Sequence, residues 1–139
     1  MADAPQQVVS ALNEALVGEY SAIYAYGLIG AQLTGSARNR AVRALLAHQT
    51  GRDQLRRQLV ALGQTPPPPA SAYRPPTPVT SSAIASALAI SVEQHQTQLW
   101  SLVASVSGGD DRRAAARSAQ ECAVRAITWG APTQAFVGA

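Results

Sequence analysis

The chain has 139 residues, of which 47% are hydrophobic but only 5% aromatic, and a net charge of +3. That length suits a single domain with a real core, and the alanine-rich, aromatic-poor mix favours helix over strand. All eleven basic residues are arginines, scattered along the chain, so no nucleic-acid footprint is expected. The lone Cys122 excludes an intrachain disulfide and a cysteine zinc site. No run of about 18 apolar residues is present to cross a membrane. The first residues carry neither a basic n-region nor an apolar h-region, so a cytoplasmic protein is expected.

Asp3 and Pro5 are start signals for a first helix over about 6–33. Val9, Leu12, Leu16, Glu19, Ile23, Tyr26, Gly30 and Leu33 follow at steps of three and four, which places them in one stripe. Glu19 is the anomaly in it. Gly18, Gly27 and Gly30 are expected to allow close helix approach or to make room for a large side chain, since glycine inside a helix is otherwise unfavourable. Thr34, Gly35 and Ser36 form a tight turn, with Ser36 as N-cap. The second helix, over about 36–62, has the stripe Leu45, His48, Arg52, Leu55, Leu59 and Leu62. So short a turn makes the two helices antiparallel neighbours.

From Gly63 to Val79 the chain holds seven prolines and cannot be helical. As extended polyproline II it spans about 50 Å, longer than a helix of 27 residues at about 40 Å. It can therefore return along the whole bundle as a crossover. The third helix, over about 81–107, carries the stripe Leu88, Val92, His95, Leu99, Leu102 and Val106. Beside it runs a second stripe of Ala89, Glu93, Gln96, Trp100 and Val103. A helix apolar over so wide an arc, Ile84 and Ile90 included, calls for extra cover, so a homodimer or higher oligomer is expected over a monomer, with the crossover as the alternative cover. The fourth helix, over about 110–130, has Ala115, Ala119, Cys122, Ala126 and Trp129 on its apolar stripe. Arg117, Glu121 and Arg125 follow at four-residue steps on another face. The fold expected is all-α: two antiparallel helix hairpins joined by a proline-rich crossover into one four-helix bundle over 1–139.

Only four glutamates are present, so Glu19 within an apolar stripe is informative. A buried carboxylate needs a partner, because leaving it alone costs several kcal/mol, roughly. His48 and Arg52 lie in the facing seam. A buried Glu19–His48–Arg52 cluster is expected, joined by Glu93 or His95 from the third helix. One reading has these groups converge on a metal. The other has them pair with one another and fix helix register. Arg52 favours the second, because a permanent cation competes with a metal for the same carboxylates. Cys122 reads as a small core residue, and Glu121 as an exposed partner of Arg117 and Arg125.

The segment from Glu19 to Gly27, the segment from His48 to Asp53, the proline-rich crossover and Glu93 together resemble an actinobacterial ferritin-like family, domain of unknown function 4439. The resemblance covers nearly the whole chain and implies a ferritin-like four-helix bundle, with no established activity. Di-iron proteins of the wider superfamily take a Glu from each of two helices and a Glu-x-x-His pair from each of the others. By that resemblance Glu19, His48, Glu93 and Glu121 match ligand positions. Leu45 stands where the Glu partner of His48 would be, and Val124 where the His partner of Glu121 would be. An incomplete di-iron site and no resident cofactor are therefore expected. The protein is read as non-catalytic, a binding or structural bundle with a protein or small-molecule partner. The alternative is an iron-handling or oxidoreductase-type protein that holds iron or another divalent metal.

Overall fold

The computed structural model describes residues 4–133, which leaves the start signal Asp3 outside the described residues. They form four helices and no strand: α1 (Ala4–Ala31), α2 (Gly35–Ala61), α3 (Ser82–Val106) and α4 (Gly109–Thr128). The α1–α2 turn is tighter than Ser36 capping would give. Thr34 is the N-cap, with no side-chain cap bond, and Gly35 follows at a φ of 59° that only glycine adopts freely. At the other end of α2, Gly63 N–H bonds the Val60 carbonyl and Gln64 N–H bonds that of Leu59. Those two bonds make a Schellman stop, satisfying carbonyls the helix leaves free. Ser81 starts α3 by accepting from the Ile84 N–H at 3.2 Å.

The element α1 packs on both α2 and α3, and α3 packs in turn on α4. Tyr26 of α1 meets Glu93 of α3, while Glu19 meets Trp100. Rising along α1 thus means descending along α3, so the two are antiparallel. The crossover has returned the chain to the end where α2 began. Its fastenings are specific. The Tyr20 hydroxyl donates to the Pro67 carbonyl at 2.9 Å, and the Tyr73 ring lies 5.6 Å from that of Tyr24.

Two apolar clusters fill the interior. The first gathers Leu12, Leu16, Leu55, Leu59, Trp100, Val103 and Cys122. The second gathers Ile29, Leu33, Ala41, Ala44, Ala85, Ala89 and Trp129. Trp100 and Val103, expected to need outside cover, are buried within the chain itself, because α3 lies between α1 and α4. Where the two clusters meet, each helix contributes a polar residue to one connected layer: Glu19, His48, Glu93 and Arg125. Alanine at most of the small core positions lets the helices close on this layer.

Candidate functional site

The buried layer is built from all four helices. Both ring nitrogens of His48 on α2 face carboxylates. Nδ1 lies 2.5 Å from Oε2 of Glu19, and Nε2 lies 2.9 Å from Oε2 of Glu93. A carboxylate only accepts, so each nitrogen donates, which makes the ring an imidazolium. The second oxygen of Glu19 accepts from the Trp100 indole N–H at 2.7 Å. Glu93 also accepts from the Tyr26 hydroxyl at 2.5 Å and from Nε of Arg125 at 3.1 Å. Trp129 Nε1–H donates to the Tyr26 oxygen at 3.1 Å, and Arg125 donates to Sγ of Cys122 at 3.3 Å. Two carboxylates thus face two organic cations, and the layer is close to neutral.

The electrostatics follow from that arrangement. Burial works against a charged His48, but the hydrogen bonds and charges of Glu19 and Glu93 outweigh it and push the imidazole up to about 9. Burial likewise opposes ionisation of Glu93, yet His48, Arg125 and Tyr26 hold its carboxyl below the usual range. Burial, reinforced by Glu93, pushes the Tyr26 phenol far up. Burial also pushes the Cys122 thiol well above its ordinary value, leaving it protonated and a poor nucleophile.

Glu19, His48 and Glu93 are each at most 1% exposed and meet in this layer. Arg52 does not join them. It pairs with neighbouring Asp53 at the surface, at 2.9 Å and with its side chain 32% exposed. The seam of α2 runs through Ala44, His48, Gly51 and Leu55 instead. A Cβ at Gly51 would sit 3.1 Å from Oε1 of Glu19 and 3.3 Å from the Trp100 ring, so even a methyl there would press on Glu19 and Trp100. The guanidinium of the layer is Arg125, which the sequence reading assigned to a charged outer face. His95 is also outside the layer, because α3 turns its second stripe inward: Ala89, Glu93, Gln96 and Trp100 are buried and His95 is exposed. Glu121 is exposed as well, since α4 presents Cys122 and Arg125 inward. Tyr26, a member of the first helix's stripe, donates to Glu93. Its place in the stripe of Glu19 was the available signal.

Gln96 deepens the layer on the α1 side. Its amide nitrogen lies 3.5 Å from the Ala15 carbonyl, while its buried Oε1 has no partner among the described residues. A Cβ on Gly18 would fall 2.0 Å from that oxygen, so Gly18 makes the room for Gln96. Gly27 has nothing within 4 Å and serves no such approach.

A cleft of about 70 Å³ between α2 and α4, bordered by Thr50, Gly51, Ser118 and Glu121, reaches Glu19 and Cys122. That is room for about two waters. A wider groove of about 750 Å³ lies between α1, α3 and the crossover, with Glu14, Tyr73 and His95 on its walls. It shares no residue with the layer, so the layer is not the floor of that groove.

The donor set does not fit a dinuclear iron centre. The single-Glu positions are filled by Glu19 and Glu93, but their oxygens and both nitrogens of His48 are taken up by one another, Trp100, Tyr26 and Arg125. Leu45 cannot ligate, and on α4 the inward pair is Cys122 and Arg125, a protonated thiol and a permanent cation. Among the described residues no group of three or more His, Cys, Asp or Glu side chains is arranged to hold a metal ion. No helix among the described residues is long and apolar enough to cross a membrane.

Comparison with known proteins agrees with the fold. The crystal structure of a conserved hypothetical protein, rv2844, from Mycobacterium tuberculosis superposes with a TM-score of 0.88 at 31% identity, covering 96% of this chain and 99% of that one. A protein from Bacillus anthracis str. Ames, described as ferritin-like and diiron-carboxylate, superposes with a TM-score of 0.68 at 18% identity, covering 92% and 93%. No curated protein matches the chain. The family model for the domain of unknown function DUF4439 matches residues 11–139. This ferritin-like four-helix bundle belongs to the DUF4439 family.

Proposed function

We propose that this chain is a ferritin-like bundle that works without a resident metal. Its interior charge is balanced by the His48 imidazolium and the Arg125 guanidinium. Its role is then structural or binding, exercised through its surface rather than through oxygen chemistry in its core. The observation that carries the reading is the pairing of both His48 ring nitrogens with carboxylates, with Arg125 on the far oxygen of Glu93. A metal ion would have to displace two cations from the same oxygens. It would also need several carboxylates to bridge and neutralise it.

The test is iron per chain after expression in iron-supplemented cells, with a search for oxo-bridge absorption. Iron well below stoichiometric, and a melting temperature unmoved by a chelator, are expected. A reproducible content of about two irons per chain, as in a complete ligand set, would overturn the reading.

The likeness to the Bacillus anthracis diiron-carboxylate protein favours a second reading. In it Glu19, His48 and Glu93, with Glu121 at the rim of the cleft, hold one loosely bound divalent ion after His48 loses its proton. The chain would then belong to iron handling or oxidoreduction. About one iron per chain, lost on mutating His48, would select this reading over the first.

A further inference from the structure

The register of α4 gives the layer a pattern that the sequence spacing hid. Glu121 is exposed and Val124 is 61% exposed, so that pair does not face the interior. One residue on, Cys122 is 1% exposed and Arg125 reaches Glu93, so the inward pair three residues apart is Cys122 and Arg125. On α2 the equivalent pair is half-buried Leu45 and buried His48. With Glu19 on α1 and Glu93 on α3, the layer repeats the frame of two single glutamates and two Glu-x-x-His pairs. It departs from that frame at three positions only: Leu45, Cys122 and Arg125.

We propose that Arg125 stands in the place of a metal cation, and that these three side chains are what separates the layer from a dinuclear divalent-metal site. This inference rests on the metal-free reading above. The charges support it. As it stands, two carboxylates face the imidazolium and the guanidinium. Leu45→Glu and Cys122→Glu add two carboxylates, and Arg125→His removes the guanidinium. Four carboxylates with two neutral imidazoles then balance two divalent ions, leaving the layer with no net charge. The cleft that reaches Glu19, Cys122 and Arg125 supplies room for water and a way in for the ions.

Cobalt(II) is the probe, because its ligand-field absorption reports coordination apart from any activity. Equilibrium dialysis of the triple variant L45E/C122E/R125H, shown by circular dichroism to remain helical, should give about two cobalt ions per chain, with visible absorption absent from the unchanged protein. A folded triple variant that binds no cobalt overturns the inference. Should that variant fail to fold, Arg125→Ala decides. It leaves Glu93 without its guanidinium, so millimolar cobalt should raise its melting temperature. The same cobalt should leave the unchanged chain and the E93Q/R125A double variant unmoved. No rise for Arg125→Ala overturns the inference. Stoichiometric cobalt in the unchanged chain would instead overturn the metal-free reading itself, so the two failures are distinguishable.

Discussion

Glu19 gives one oxygen to Trp100 and the other to His48, and all three side chains are buried. Glu19→Ala leaves an indole N–H and an imidazolium N–H unmet and the layer with surplus positive charge. The expected cost is about 3–5 kcal/mol, read from urea titration. A loss below about 1 kcal/mol would mean that water or a rearranged partner replaces the carboxylate. Two glycines of α1 should respond in opposite directions. Gly18→Ala puts a methyl against Gln96 and Leu99, at 2.0 and 2.7 Å before relaxation, and is expected to destabilise by about 1–3 kcal/mol. Gly27→Ala meets open space and should stabilise by about 0.5–1 kcal/mol. Equal effects at the two sites would contradict the close packing at Gly18. Glu19 and His48 were legible because each is a polar residue inside an apolar stripe, on helices joined by a tight turn. Arg52 was misread for a physical reason. Two stripes on α2 obey the same spacing, and the true one passes through Gly51, whose missing side chain leaves no hydropathic signal. Arg125 escaped notice because a long side chain can span from the flank of the seam to Glu93 with its stem against apolar neighbours.

The two hairpin turns use the same device. Each N-cap residue, Thr34 and Gly108, is extended, and each first helical residue is a glycine near φ 58–59°. The crossover is held differently, by side chains of the helices it passes. Tyr20 accepts from Arg56 at 2.7 Å while donating to the Pro67 carbonyl, so one hydroxyl ties α1, α2 and the crossover together. Tyr20→Phe keeps the ring in the core and removes that tie. The expected cost is about 0.5–1.5 kcal/mol, with faster proteolysis in the 63–79 segment and little change in helix content. Unchanged proteolysis would mean that the Tyr24–Tyr73 contact alone fixes the crossover. The prolines made the crossover legible, since their count forbids helix and their reach permits a full return. Its anchoring tyrosines were not, because a phenol on a helix gives no sign of the carbonyl it will meet across 47 residues. The apolar width of α3 was legible as the mark of a helix with two or more neighbours. The arc is wide because α1 and α4 both lie on it.

At the scale of the whole molecule, folding and proton binding are coupled through the layer. His48 is faced by Glu19 and Tyr26 from α1 and by Glu93 from α3, with Arg125 and Cys122 of α4 behind Glu93. Its pKa rises from 6.5 to about 9 on folding, so the folded state holds a proton that the unfolded chain releases. That contribution is fully present below pH 6.5 and lost as pH rises through about 9. It amounts to on the order of 3 kcal/mol at most. Glu93 acts at the other end. Its carboxyl is held below its ordinary 4.5, so its contribution is present above pH 4.5 and lost as pH falls through the folded value. The stability of the bundle should therefore be greatest between about pH 4.5 and 6.5, on the acid side of the usual pH 5–8 maximum. The Cys122 thiol and the Tyr26 phenol, both pushed up by burial, begin to charge in the unfolded chain from about pH 8 and about pH 9 respectively, so the slope from 6.5 to about 8 belongs to His48. Urea midpoints should fall steadily across that interval, and His48→Gln should be less stable at pH 6 but nearly flat over the same range. In the unchanged protein, nitrogen-15 spectra of the His48 ring should show both N–H groups up to about pH 8. A midpoint that stays level or climbs from pH 6.5 to about 8 would mean that His48 is neutral in the folded bundle, and that one of its carboxylate neighbours carries the proton instead.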